Sequence, residues 1–180
     1  MAHSRPKRPA LLIIDMQVGL FNNPDNPYER DRVLANINQL IHKAREAGAP
    51  IFAARHTGPL GSPIESGSPL WQLLPDLKVD ADADTVFDKT KFSCFLGTGL
   101  AERLVEAGVN ELVIVGMKTQ YCIDTTCRVA SELGFEPVLV ADGHTCMDTP
   151  ALTAKAIIEH HNATLDGPFV KLRNTADVQF

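Results

Sequence analysis

One thiol in this sequence is placed as a nucleophile would be placed. Cys122 closes the run Gly116-Met117-Lys118-Thr119-Gln120-Tyr121-Cys122, which follows a buried apolar segment and opens a helical pattern. A free thiol titrates near ~8.5 and reacts as the thiolate, so a catalytic cysteine needs a lowered pKa or a base beside it. A helix N-terminus favours the thiolate through the macrodipole and its free N–H groups, and on this reading the thiolate of Cys122 is favoured. Asp15, directly after the apolar run Ala10 to Ile14, offers a carboxylate to accept the thiol proton. Lys89, beyond another short apolar segment, adds a cation that stabilises the thiolate and keeps Asp15 ionised. Together they are the parts of an acyl-transfer site. Asp15 would also fit a turn-capping role, Cys122 a small buried hydrophobe, and Lys91 stands close enough to rival Lys89. Cys94, Cys127 and Cys146 read as structural.

These residues converge only if the elements before them do. Ala10 to Ile14 reads as a strand buried on both faces. After a Pro/Asn-rich turn at 22–27, Val33, Leu34, Ile37, Leu40, Ile41 and Ala44 recur at helical spacing until Gly48. Pro50 to Arg55 is the next strand. The Gly/Pro/Ser-rich stretch Thr57 to Pro69 has neither period and is long enough to act as a flap. Pro69 to Leu74, with Trp71, reads as a short helix beneath it. Thr85 to Phe87 is a strand, Leu100, Leu104 and Val105 the stripe of a helix ending at Gly108, and Glu111 to Gly116 a strand. A helix runs from about Gln120 to Leu133, followed by the strand Pro137 to Ala141. A last helix begins near Pro150 with Leu152, Ala156 and Ile157 inward, and Phe169 to Leu172 closes the set as a strand. Strands alternate with helices and no hairpin turn joins two of them, which argues for parallel pairing in an α/β three-layer fold. In such sheets ligands bind beyond the carboxyl ends of the strands, where Asp15, Lys89 and Cys122 all fall.

Three separated motifs carry a resemblance across most of the chain. They are Asp15-Met16-Gln17, then Lys89-Thr90-Lys91-Phe92-Ser93-Cys94-Phe95 with Gly97-Thr98, and Gly116 through Cys122 with Thr125, Thr126 and Arg128 after it. In order and at these distances they resemble the isochorismatase-like cysteine hydrolases; Ala141-Asp142-Gly143-His144-Thr145 is similar to that family's strand-five exit. The resemblance implies a Rossmann-like three-layer sandwich with a six-stranded parallel sheet. It assigns Asp15, Lys89 and Cys122 as the catalytic trio, with Lys89 rather than Lys91 at the family spacing. It also implies a non-proline cis peptide between Met117 and Lys118, an oxyanion hole from the N–H groups of Lys118 and Cys122, and a homodimer or homotetramer. Gln17, Phe21, His56 and Tyr121 are candidates for the substrate pocket. The implied activity is hydrolysis of an amide, ureide or lactam C–N bond through a thioester. The alternatives are vinyl-ether hydrolysis, which needs no thiol, and a binding protein that has lost the reaction.

Composition excludes other classes. The 180 residues, 44% hydrophobic, suffice for one substantial core, so 1–180 is expected to be a single domain with residues 1–9 as a disordered leader. A net charge of −5 gives no reason to approach nucleic acid or an anionic membrane. No apolar run nears the ~20 residues that span a bilayer, the N-terminal residues are not expected to act as a secretory segment because Asp15 interrupts their apolar run, and the four cysteines are expected to stay reduced. The expected protein is soluble and cytoplasmic, and its partner is a small-molecule substrate. No glycine-rich phosphate-binding turn occurs. No metal or other cofactor is expected: His56 lies in Arg55-His56-Thr57-Gly58, whereas the related nicotinamidases carry an Asp-x-His text and a second histidine, and the next histidine here is His144.

Overall fold

Period-two alternation explains why the first apolar run is continuous. In the computed structural model, which describes residues 6–22 and 25–180, β1 (Pro9–Ile14) lies inside a sheet covered on both faces. Leu11 and Ile13 enter one layer of core and Ala10, Leu12 and Ile14 the other, all fully buried. Each such leucine or isoleucine stabilises the fold by roughly 1.5–3 kcal/mol through its removal from water. There follow α1 (Val18–Phe21), α2 (Arg30–Glu46), β2 (Ile51–His56), β3 (Thr85–Lys89), α3 (Leu100–Glu106) and β4 (Glu111–Met117). A π-helical turn at Thr119–Ile123 leads into α4 (Asp124–Glu132), then β5 (Glu136–Thr145), α5 (Ala154–Leu165) and β6 (Lys171–Arg173).

The strands lie in the order β3-β2-β1-β4-β5-β6, and every neighbouring pair is parallel. This is the α/β architecture expected, with its six-stranded parallel sheet. Val33, Ile37, Leu40, Ile41 and Ala44 of α2 cover the Leu11/Ile13 face. Leu100 and Leu104 of α3 and Cys127 and Ala130 of α4 cover the other. From β1 the chain builds β2 and β3 on one side, then crosses to place β4 on the other. The connections leaving β1 and β4 therefore part, opening a crevice at their carboxyl ends. No helix among the described residues is long and apolar enough to cross a membrane.

Several boundaries differ from the sequence expectation. Residues 1–5 of the expected leader lie outside the described residues. Its remainder is held: Lys7 pairs with the buried Glu111, Arg8 N–H bonds Asn110 Oδ1 at 2.8 Å, and Pro9 already belongs to β1. Trp71 does not sit in a helix. Its segment runs against 16–19 instead, with Leu74 N–H to Met16 O, Val18 N–H to Gln72 O and Gly19 N–H to Leu70 O. Val105 and Leu152, expected inward, are 68% and 50% exposed: α3 turns only Leu100 and Leu104 to the sheet, and Leu152 lies before α5 begins. The last helix begins at Ala154, where the Thr153 side chain caps Ala156 N–H, rather than at Pro150.

Candidate active site

Each of the three candidate residues reaches the crevice by a different device. Asp15 follows β1 with φ 55°, a left-handed conformation that aspartate tolerates better than most residues, and its N–H is tied to Ala54 O at 3.0 Å. Cys122 stands in the π-helical turn after β4. That strand approaches β1 so closely at its end that a Cβ on Gly116 would lie 2.1 Å from Ile14 O, which is why glycine stands there with φ 119°. Lys89 belongs to β3, two strands from β1, a gap of about 10 Å at ordinary strand spacing. Only a long side chain spans it. Lys89 passes over His56, its register partner on β2, and its ammonium arrives fully buried.

There Nζ of Lys89 lies 2.9 Å from Asp15 Oδ2, 3.2 Å from His56 Nδ1 and 3.3 Å from Cys122 Sγ, and it donates to Lys91 O at 3.1 Å. Lys91 therefore meets the cluster through its backbone carbonyl. The other carboxylate oxygen, Asp15 Oδ1, is buried with no hydrogen-bond partner among the described residues, an acceptor held open. Asp15, His56 and Cys122 bring ligating atoms within 4.8 Å of one another, a spacing a metal ion could bridge. The lysine ammonium already bonds all three, so a covalently tethered cation occupies that place. The Met117–Lys118 peptide is cis.

The electrostatics correct one sequence expectation. Burial raises the Asp15 carboxyl above its ordinary range, and Lys89, the Cys122 thiol and His56 pull it down without cancelling that effect. Burial opposes the Lys89 ammonium, but attraction to Asp15, with Cys94 and Cys122 adding, leaves its pKa raised. The Cys122 thiol is pushed far up, first by burial and then by the Asp15 charge; Lys89 offsets only part. A resting thiolate, expected from the helix start, does not fit this environment: Cys122 is 6% exposed and stands beside a carboxylate. The resting thiol is protonated, and as a nucleophile it would need a base at the moment of attack. His56 is lowered by burial and by Lys89, so it is neutral and accepts the ammonium at Nδ1.

The thiol opens on a cavity of about 240 Å³ walled by Leu20, Ile64, Phe92 and Tyr121, with His56 and Lys118 beside Asp15 and Cys122. Phe92 and Tyr121 stack at 5.7 Å. Ile64 comes from the 57–69 loop, which places that loop over the site. Trp71 anchors it: Nε1 bonds Thr57 Oγ1 at 2.9 Å, and Arg55 lies 3.6 Å above the ring. Two of the four residues expected at the pocket, His56 and Tyr121, line it. Gln17 does not, because its amide is used up on His56 N–H and the carbonyls of His56 and Trp71. Phe21 does not either, being fully buried in the α2 layer with Arg30 over its ring. Leu20, Ile64 and Phe92 escaped sequence reasoning. Only the position of Leu20 beside Phe21 carried any hint. A larger apolar groove of about 650 Å³ lies between the 91–96 segment and α4, but it holds none of the trio.

Comparison with known proteins places this geometry. A model of the isochorismatase domain matches residues 9–165. A streptothricin hydrolase of Streptomyces noursei is 36% identical over 143 residues, 79% of this chain and 51% of that protein. The chain thus spans about half the length of the streptothricin hydrolases it matches, 51% and 56%. Nicotinamidase 3 of Arabidopsis thaliana is 30% identical over 169 residues, covering 87% of this chain and 78% of that protein. The crystal structure of an isochorismatase family protein superposes with a TM-score of 0.88 at 34% identity, over 93% of this chain and 99% of that one.

Proposed function

The chain belongs to the isochorismatase-like cysteine hydrolase family, and from that premise we propose that it cleaves a C–N bond of a small molecule through a thioester on Cys122. One observation carries the reading: a buried thiol at the floor of a cavity, with an ammonium 3.3 Å from its sulfur and an unpartnered carboxylate oxygen in the same cluster. In the proposed cycle Sγ attacks the substrate carbonyl carbon while its proton passes to Asp15. The oxyanion is received by the N–H groups of Lys118 and Cys122, and Lys89 balances the charge. Collapse breaks the C–N bond as Asp15 returns the proton to the leaving nitrogen. Water, deprotonated by Asp15, then cleaves the thioester and restores the thiol. The names of two relatives, a nicotinamidase and a streptothricin hydrolase, support hydrolysis as the class. A cavity of about 240 Å³ with apolar walls fits a compact carboxamide or ureide, since ligand pockets ordinarily run to about 300–1,000 Å³.

A second reading rests on the raised carboxyl of Asp15, which is suited to act as a general acid. A vinyl-ether hydrolysis would use that acid and form no bond to sulfur. Mass spectrometry during turnover of a panel of carboxamides, ureides and vinyl ethers separates the two. The expected result is an acyl adduct on the peptide that holds Cys122 and loss of turnover by several orders of magnitude in Cys122→Ala. Turnover by Cys122→Ala at near the parental rate, without an adduct, would overturn the thioester.

A further inference from the structure

The turn that presents Cys122 is held from behind by a buried histidine. Thr119 opens that turn and is fully buried, as is His144 at 2% exposed. His144 belongs to β5, but its place there is irregular. Ile114 pairs with Leu139 and Gly116 with His144, so β5 spends five residues where β4 spends two. The resulting bulge is pinned by Asp142, whose Oδ1 accepts from Thr175 N–H at 2.8 Å and from its hydroxyl at 2.9 Å. Asn36 Nδ2 adds a bond to Asp142 O at 2.8 Å. A bulge re-aims the side chain beyond it, and this one sets His144 opposite Gly116, two residues before Lys118.

The ring's hydrogen bonds have one consistent assignment. Asn162 of α5 directs Nδ2 to Ala141 O at 3.4 Å, which leaves its Oδ1 to accept from His144 Nε2 at 2.9 Å. Nε2 therefore carries the proton. Nδ1 is free to accept, and Thr119 Oγ1 stands 2.8 Å away as the donor. We propose that His144 is a positioning residue for the reaction: as a neutral imidazole with its proton on Nε2, it accepts the Thr119 hydroxyl and so fixes the turn carrying Lys118 N–H and Cys122. Burial, chiefly, depresses its pKa to about 4, and the neighbouring His161 adds to this against the pull of Asn162 and Asp142. The chain of bonds runs from α5 through β5 to the turn, and the ring touches no part of the cavity.

This role rests on the thioester reading for its effect on turnover, but not for its geometry, so the two fail separately. Thr119→Val keeps the shape and removes only the donor. It is expected to lower kcat by about 10- to 100-fold with KM little changed, as roughly 1 Å of displacement at a reacting group does. The rate at which iodoacetamide alkylates Cys122 should change with it. Thr119→Ser, which retains the hydroxyl, should recover most of kcat. Nitrogen-15 NMR should show His144 protonated on Nε2 alone at neutral pH, with its Nδ1 resonance displaced in Thr119→Val. The proposal is overturned if His144 carries its proton on Nδ1, if Thr119→Val alkylates and turns over like the parent, or if Thr119→Ser is as impaired as Thr119→Val. Should no thioester form in the parent, the proposed reaction falls, while the NMR and alkylation readouts still decide whether His144 holds the turn.

Discussion

Replacing Asp15 with asparagine should make Cys122 more reactive toward an alkylating agent while destroying turnover. Asparagine keeps the shape of the side chain and deletes its charge. In the parent, burial and that charge hold the proton on sulfur. The carboxylate oxygen and the sulfur lie within 4.8 Å of each other. Taken at 4.8 Å with an effective dielectric of about 20, the charge opposes a thiolate by about 3.5 kcal/mol, a few hundred-fold in thiolate population. A thiolate of lower pKa is intrinsically less nucleophilic, with a Brønsted slope of about 0.4–0.5, so the net gain in alkylation rate at neutral pH is roughly 20- to 35-fold. The assay is iodoacetamide labelling across pH 6 to 10, read as mass gain on the peptide holding Cys122, beside turnover of any substrate found by screening. Labelling faster and turnover lost is the expected pair. If labelling slows together with turnover, the carboxylate activates the thiol at rest, and the assignment of a protonated resting thiol is wrong.

Lys89→Met preserves the packed stem but strands the Asp15 carboxylate at 1% exposure, and should cost about 3–5 kcal/mol in urea denaturation at pH 7. Lys89 lowers the Asp15 pKa in the parent, so its removal raises that pKa further above the ordinary 3.8, and the variant loses stability as pH rises toward the higher value; the deficit should therefore shrink at pH 5, and a pH-independent deficit would refute this. Lys91→Met, which leaves the contributing backbone carbonyl in place, should be mild in both stability and turnover. Turnover should survive exhaustive chelation, since the Lys89 ammonium bonds all three groups a metal would need, and loss restored by zinc would show otherwise. Gly116→Ala should destabilise by at least about 3 kcal/mol or fail to accumulate, whereas Gly48→Ala, also at positive φ but with open space around it, should cost about 1–2 kcal/mol by thermal melts.

What could be read from the sequence follows the range of the forces involved. β1, β2 and β4 announce themselves because burial on both faces demands unbroken apolar text, and α2 because a single buried stripe imposes the helical period. The second half of β5 stays hidden. Asp142-Gly143-His144 has the composition of a loop, and it is held as strand by its pairing with β4 and by Asn36, Thr175 and Asn162, which are distant in sequence. The segment around Trp71 misleads for the same reason, since its backbone partners are Met16, Val18 and Gly19. At the site, the motif text identifies Asp15, Lys89 and Cys122, and the structure gathers them. The cavity walls carry no such text: Ile64 sits in an irregular loop, and Phe92 was visible only as motif filler.

The same division of local from long-range forces sets the charge state of the thiol. A helix start is a local feature and argues for a thiolate; burial and the Asp15 carboxylate are long-range consequences of folding and argue more strongly against one. Charge bookkeeping in the buried cluster shows why the second wins. With the thiol protonated, Asp15 and Lys89 form a neutral pair. A resting thiolate would leave net negative charge out of water, at a penalty that a neutral His56 does nothing to relieve. In the proposed cycle the neutrality is never broken. As sulfur bonds to carbon, its proton neutralises Asp15, and the new oxyanion becomes the counter-charge of Lys89. A lysine that arrives from two strands away is thus suited less to ionising the thiol beforehand than to holding one negative charge wherever the reaction moves it. Three of its four contacts, those to carboxylate, imidazole and sulfur, allow this without displacement of the ammonium.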